Sequence, residues 1–97
     1  MTVEKHVDGD CLTIAVDGAI DTVTAPELQR EISLDGVKNL VFDISKVGYI
    51  SSAGLRIFLN CQKSMLKTGG KMAVSGANES VMHVFAITGF TKIIHFV

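Results

Sequence analysis

The chain predicts an α/β fold: an N-terminal β-hairpin, then alternating helices and strands, forming a mixed, mostly parallel sheet packed by about three helices. Three observations predict it. Apolar residues alternate at period two on both sides of Asp8-Gly9-Asp10, the pattern of half-buried strands joined by a tight turn. Three later stretches space their apolar residues at helical period, and each lies between short apolar runs. The connections after the hairpin are therefore of crossover length, which sets parallel strands side by side with right-handed connections.

The elements follow in order. A weak alternation over residues 3–7 marks a first strand, and Leu12, Ile14 and Val16 alternate with Thr13, Ala15 and Asp17 in a second. Thr24-Ala25-Pro26-Glu27 reads as a capping box, with Thr24 at the N-cap and proline in the first turn. The helix that follows runs to about Ile32, with Leu28 and Ile32 facing inward, and Asp35-Gly36 ends it. Residues 37–44 form a largely apolar run, as expected of a strand covered on both faces.

Residues 52–68 are helical in period. Leu55, Phe58, Leu59, Cys61, Met65 and Leu66 fall on one broad arc, and Arg56, Asn60, Lys63, Ser64 and Lys67 on the other. Gly69-Gly70 closes this helix, and residues 71–75 form a short strand. Asn78 caps a third helix bearing Val81, Val84 and Phe85, Gly89 ends it, and residues 92–97 form a last apolar strand.

Ninety-seven residues with 47% hydrophobic side chains and a mean hydropathy of +0.38 predict one domain over residues 1–97 with a real core. A net charge of −1 gives no basic field for nucleic acid and no basic amphipathic helix for a membrane surface. No apolar run reaches transmembrane length, and Met1-Thr2-Val3-Glu4-Lys5 lacks the layout of a signal peptide, so a cytoplasmic location is expected. Cys11 and Cys61 sit in apolar-patterned segments and read as buried free thiols. No Cys-x-x-Cys is present, and His6, His83 and His95 lie on separate elements, so neither metal nor cofactor is expected. Asp17 and Asp21 have no companion histidine and read as a polar turn with one capping acid. His83 is placed on the exposed side of its helix, His95 at a sheet edge or surface, and Tyr49 against the edge of the core. Gly69-Gly70 follows a helix rather than opening one, unlike a phosphate-binding loop. The basic stripe Arg56, Lys63, Lys67 reads equally as an interaction face or as solvated helix surface.

The most informative run is 40–55, LVFDISKVGYISSAGL: a strand, a short loop, and two serines at a helix start. Ser51 falls on the apolar side and suits the N-cap. Ser52 falls outward with Arg56 one turn further on, and small Ala53 and Gly54 leave its hydroxyl uncrowded. The site lies past the carboxyl end of a strand, at the positive end of a helix, where a phosphate is well tolerated. From the residues alone, both serines also serve as ordinary capping residues, the commoner role.

Asp43-Ile44-Ser45, Val47 and Tyr49-Ile50-Ser51-Ser52-Ala53-Gly54-Leu55 together resemble the signature of the STAS domain family. Val16-Asp17-Gly18-Ala19-Ile20-Asp21 and Thr24-Ala25-Pro26-Glu27-Leu28 resemble the segment before that family's first helix. The family comprises anti-sigma factor antagonists and the related domain of sulfate transporters. The resemblance implies a serine phosphorylated by a partner anti-sigma factor that is also an ATP-dependent kinase, the unphosphorylated form being the one that binds. That serine corresponds to Ser52, and Asp21 corresponds to a family acid near the same surface. Asp21, Thr22, Ser51, Ser52, Gly54 and Arg56 are then the expected partner-binding residues. The family usually has Asp where this chain has Ser51, which leaves Ser51 as the alternative phosphorylation site. Family members also usually carry a helix after the last strand, whereas this chain stops inside its final apolar run; weak self-association, or a partner covering that patch, is expected. Two other functions are weighed. An accessory subunit of a membrane transport complex would co-purify with a transporter ATPase. A hydrolase would need the Gly-x-Ser-x-Gly corner and a histidine–acid pair, neither of which is evident.

Overall fold

In the computed structural model, which describes residues 1–97, strand β1 (Thr2–Asp8) pairs antiparallel with β2 (Cys11–Asp17), Val3 opposite Val16 and Val7 opposite Leu12. Gly9 makes the turn at φ +61°, in the left-handed region that glycine enters without a side-chain clash. Helix α1 (Ala25–Glu31) leads to β3 (Asn39–Lys46), α2 (Ser52–Lys67) to β4 (Lys71–Ser75), and α3 (Glu79–Ile87) to β5 (His95–Phe96). The strands lie in chain order, β1-β2-β3-β4-β5, and every pair after the hairpin is parallel. Each crossover steps one strand in the same direction. Right-handed connections therefore set all three helices on one face of the sheet.

Burial follows that geometry. On the helix face Leu12, Ile14, Val16, Leu40, Phe42, Ile44, Met72 and Val74 are buried. On the other face Thr13, Ala15, Val41, Asp43, Ala73 and Ser75 are only half-buried. The expectation that β3 is covered on both faces is thus corrected: its side chains alternate between the core and an open face of mostly small residues. The strand also starts later than its apolar run, because the backbone N–H groups of Lys38 and Asn39 are held by the Asp10 carbonyl at the hairpin end.

The centre of the core is aromatic. Phe58 of α2 stands edge-on to Phe42 of β3 (ring centres 4.7 Å apart) and to Phe85 of α3 (5.6 Å), and Phe85 meets Phe96 of β5 at 5.0 Å. One side chain on α2 thereby ties the sheet to the third helix. The buried arc of α2 is Gly54, Leu55, Ile57, Phe58, Cys61 and Met65. Leu59 is half-buried and Leu66 is 65% exposed, so both lie beyond the arc assigned to them from the sequence. The inward place is taken by Ile57, one residue round from Phe58.

The last apolar run is mostly not strand. Phe90–Lys92 form a 3-10 turn that follows Gly89, and only His95–Phe96 pair with β4. Ile94 is buried and Phe96 half-buried, while Ile93 and Val97 remain exposed, so the apolar patch there is smaller than expected. Cys61 is buried as expected, and its burial pushes the thiol up to about 11. Cys11 is exposed, against expectation, because it opens β2 on the open face of the sheet. His83 and His95 are exposed. No helix is long and apolar enough to cross a membrane.

Candidate functional site

Two loops and one helix end build the site. The segment after β2 runs beside the segment after β3: the backbone N–H of Gly18 donates to the Lys46 carbonyl, that of Ile20 to Tyr49, and that of Ser51 back to Ile20 at 2.8 Å. Ile20 and Ile50 form an isolated parallel bridge, and both side chains are buried. Apolar anchors on polar loops thus fix the backbone from which α2 starts. Gly54 makes the approach possible. A Cβ there would lie 2.7 Å from Ile20 Cγ2 and 2.9 Å from Ile50 Cγ1, so the first turn of α2 rests directly on both loops.

Ser51 is the N-cap of α2, with extended backbone, and its Oγ accepts the Gly54 N–H at 3.2 Å. It is 8% exposed, the only polar residue in the buried set. Ser52 is the first helical residue and is exposed. Its Oγ makes no hydrogen bond, and the backbone N–H groups of Ser52 and Ala53 have no partner either. The first turn carries no acid, and Arg56 is exposed one turn on. The result is a free hydroxyl over the electropositive end of a sixteen-residue helix.

Asp21 organises the neighbouring loop. Its Oδ1 accepts the backbone N–H groups of Val23 and Thr24, each at 2.9 Å. The Thr24 N–H bond, then that of Val23, holds its carboxyl below the ordinary 3.8. Thr24 does not form the expected capping box. Its hydroxyl donates to the Ala19 carbonyl at 2.7 Å and accepts the Asp21 N–H at 2.9 Å, and it makes no capping bond to α1. Thr24 already has helical backbone angles, and the Ala25 N–H reaches the Asp21 carbonyl at 2.8 Å. The capping role therefore moves three residues upstream, to Asp21. On the open face of the sheet, away from this helix start, Asp43 Oδ1 accepts the Ser45 N–H and hydroxyl. The Ser45 N–H bond is the main reason its carboxyl also titrates below the usual range.

The structure brings Asp21, Ser51 and Gly54 together through Ile20, with Thr22, Ser52 and Arg56 exposed around them. Two further side chains stand exposed on the same loops: Val23 at 74% and Tyr49 at 57%. Tyr49 was expected on the core edge, but Val47 and Ile50 fill the inward places on either side. Val23 gave no sequence signal of its own; the turn bonded to Asp21 turns it outward. The largest cavity, about 540 Å³, is lined by Gln62, Leu66, Met72 and Ile93 among others, and another of about 260 Å³ lies on the open sheet face. Ser52 lines neither. An exposed hydroxyl with unpaired N–H groups beneath it can accept a phosphoryl group and hold the resulting charge, and a protein can close over it.

Comparison with known proteins gives a consistent set. The STAS domain family model matches residues 2–97. An anti-sigma-B factor antagonist from Listeria monocytogenes is 32% identical over 93 residues, covering 93% of this chain and 82% of the relative. The crystal structure of an anti-sigma factor antagonist from Mycobacterium paratuberculosis superposes with a TM-score of 0.86 at 26% identity, covering 98% of this chain and 83% of that one. The Bacillus anti-sigma factor antagonist SpoIIAA shares the fold. Its unphosphorylated form superposes at TM-score 0.85 and 15% identity, over 99% of this chain and 88% of its own. Its phosphorylated form superposes at 0.78 and 14%, over 99% and 91%.

Proposed function

The chain belongs to the STAS domain family, and from that premise we propose that it is an anti-sigma factor antagonist, a protein-binding module switched by phosphate on Ser52. Unphosphorylated, it holds an anti-sigma factor that is also a serine kinase, and so regulates transcription without touching nucleic acid. The kinase transfers the γ-phosphoryl group of ATP to Ser52 Oγ, the hydroxyl proton passes to a base on the kinase, and ADP leaves. Residues 1–97 act as one non-catalytic unit in the cytoplasm, and any self-association is secondary to this partner.

One observation carries the reading: the Ser52 hydroxyl is exposed and unbonded at the start of α2. A phosphate there adds a charge of roughly −1.5 to −2 at pH 7. The unpaired N–H groups of Ser52 and Ala53 and the nearby Arg56 favour that charge, so the module keeps its fold. A partner packed over the same spot meets new bulk and charge. Ser51 is the poorer acceptor, because its oxygen is buried and caps the helix; phosphorylating it would require unwinding the first turn. Asp21 shapes the adjoining loop, Thr22 and Arg56 offer exposed polar contacts, and Gly54 holds α2 against the loops. Family relatives named as anti-sigma factor antagonists support the partner class.

The test is phosphorylation by the anti-sigma factor kinase with ATP, read by intact mass. One phosphate is gained by the native protein and by Ser51→Ala, and none by Ser52→Ala. Ser52→Asp weakens kinase binding with an unchanged circular dichroism spectrum. A phosphate that persists in Ser52→Ala refutes the assignment. Stable co-purification with a transporter ATPase, without any phosphorylation, would instead establish the module as an accessory transport subunit.

A further inference from the structure

Charge is divided along this chain, and the fold turns the division into a direction. Residues 1–43 hold nine acids against three lysines and arginines, a net of −6, while residues 44–97 hold one acid against six, a net of +5; together these give the chain's −1. The strands lie in chain order, so the acidic half forms one edge of the sheet and the basic half the other. On the basic side, α2 contains no acid in sixteen residues. Its Arg56, Lys63 and Lys67 are all exposed and none is ion-paired, whereas Lys5 at the acidic edge pairs with Glu31 at 3.1 Å. At about 100° per residue, Ser52, Arg56, Lys63 and Lys67 share an arc of roughly 60°, forming a ridge about 22 Å long. Leu66 stands beside the ridge, 65% exposed.

We infer that the ridge of Ser52, Arg56, Lys63, Leu66 and Lys67 is a docking track for an acidic protein surface with an apolar pocket for Leu66. Resting on the function proposed above, that surface belongs to the anti-sigma factor kinase, because the ridge is continuous with the serine the kinase must reach. Contact then runs down the whole of α2 instead of ending at its first turn. Other anionic partners fit less well. The apolar side of α2, which carries Phe58, Cys61 and Met65, is buried in the core, so this helix cannot lay an apolar face into a membrane. Three cations on a chain of pI about 6.2 make a poor track for a nucleic acid backbone. Unpaired surface cations act mainly on the rate and salt dependence of encounter, and the exposed leucine supplies the apolar contact. The ridge is also linked to the switch: a phosphate on Ser52 places negative charge at the head of a positive row, so the modification that blocks the site also weakens the steering.

The double variant Lys63→Glu/Lys67→Glu tests it in the kinase assay. The KM for this protein rises on the order of tenfold and loses its salt dependence while kcat stays unchanged, because steering affects encounter and not phosphoryl transfer. Leu66→Ser raises KM without changing the salt dependence. In a second measurement a glutamate homopeptide is titrated onto the isotope-labelled protein. Amide shifts confined to the exposed face of α2, and absent in the double variant, support the ridge; shifts elsewhere or none overturn it. An unchanged KM in the double variant also overturns it. So does salt-sensitive self-association abolished by the same reversals with KM unchanged, which would identify the acidic edge of a second copy as the occupant. If the native protein is not phosphorylated at all, the antagonist reading fails separately, and the homopeptide titration alone decides the ridge.

Discussion

Replacing Gly54 by alanine tests whether the start of α2 is held by packing or by helix propensity alone, because the two give opposite signs. In an unobstructed helix the change stabilises by up to about 1 kcal/mol. Here the added methyl would sit 2.7 Å from Ile20 Cγ2, 2.9 Å from Ile50 Cγ1 and 3.2 Å from the Ile20 carbonyl oxygen. Both isoleucines are buried and branched, and the loop that carries Ile20 is bonded on both sides, so none of the three contacts relaxes cheaply. Overpacking of this kind costs about 1–3 kcal/mol. The net expectation is a loss of about 1–2 kcal/mol, which for a domain of this size lowers Tm by about 5–10 °C. Thermal unfolding followed by circular dichroism measures it, with Gly48→Ala as the control. Gly48 lies in the same loop, has no positive φ, and has nothing within 4 Å of its Cβ position, so that variant should stay within about 0.5 kcal/mol of the native protein. A Gly54→Ala protein as stable as the native one, or more so, would refute the close approach of α2 to the two loops.

Other perturbations read other parts of the molecule. Phe58→Ala removes the ring shared by Phe42 and Phe85 and should cost about 3–5 kcal/mol in a denaturant titration, a large fraction of a small domain's stability; a loss under 1 kcal/mol would show that the aromatic centre is loosely packed. The folded carboxyl of Asp21 titrates below 3.8, so its contribution to stability is present above that value and is lost as pH falls through the lower folded value. An NMR titration of the Asp21 side chain should therefore find a midpoint under 3.8, and Asp21→Asn, which can still accept the turn bonds, should flatten the stability profile only in that acid range; a midpoint at or above 3.8 contradicts the turn geometry. Of the two thiols, exposed Cys11 should react with a disulfide reagent in the folded protein and buried Cys61 only after unfolding. Two fast thiols would mean that α2 opens readily.

The strength of the local signals decided what could be read in advance. The hairpin, the three helices and their order followed from periodicity and from punctuation at Asp8-Gly9-Asp10, Asn78 and Gly89. The division of labour between Ser51 and Ser52 followed from a one-residue step round a helix, which turns adjacent side chains about 100° apart. Failures occurred where an alternative local turn captures the same group, or where no other element covers an apolar side chain. Thr24 matches a capping box, yet its hydroxyl goes to Ala19 because Asp21 offers the chain an alternative turn. Leu66 matches a core arc, yet no element lies above it to cover it. Cys11 and the run after Gly89 depart from their apolar pattern for the same reason as Leu66: such patterning shows which residues can be buried, not which ones find cover.

The sequence by itself determined the elements, the alternation that puts Leu40, Phe42 and Ile44 on one side, and a serine facing outward at a helix start, because these depend on bonds and spacings within a few residues. The tertiary structure alone decided that all the helices share one face, that Ile20 and Ile50 lock two loops under α2, and that the unpaired cations of α2 line up below Ser52. Those outcomes depend on which distant segments meet, and pairing between distant segments leaves only a weak trace in any local window of sequence.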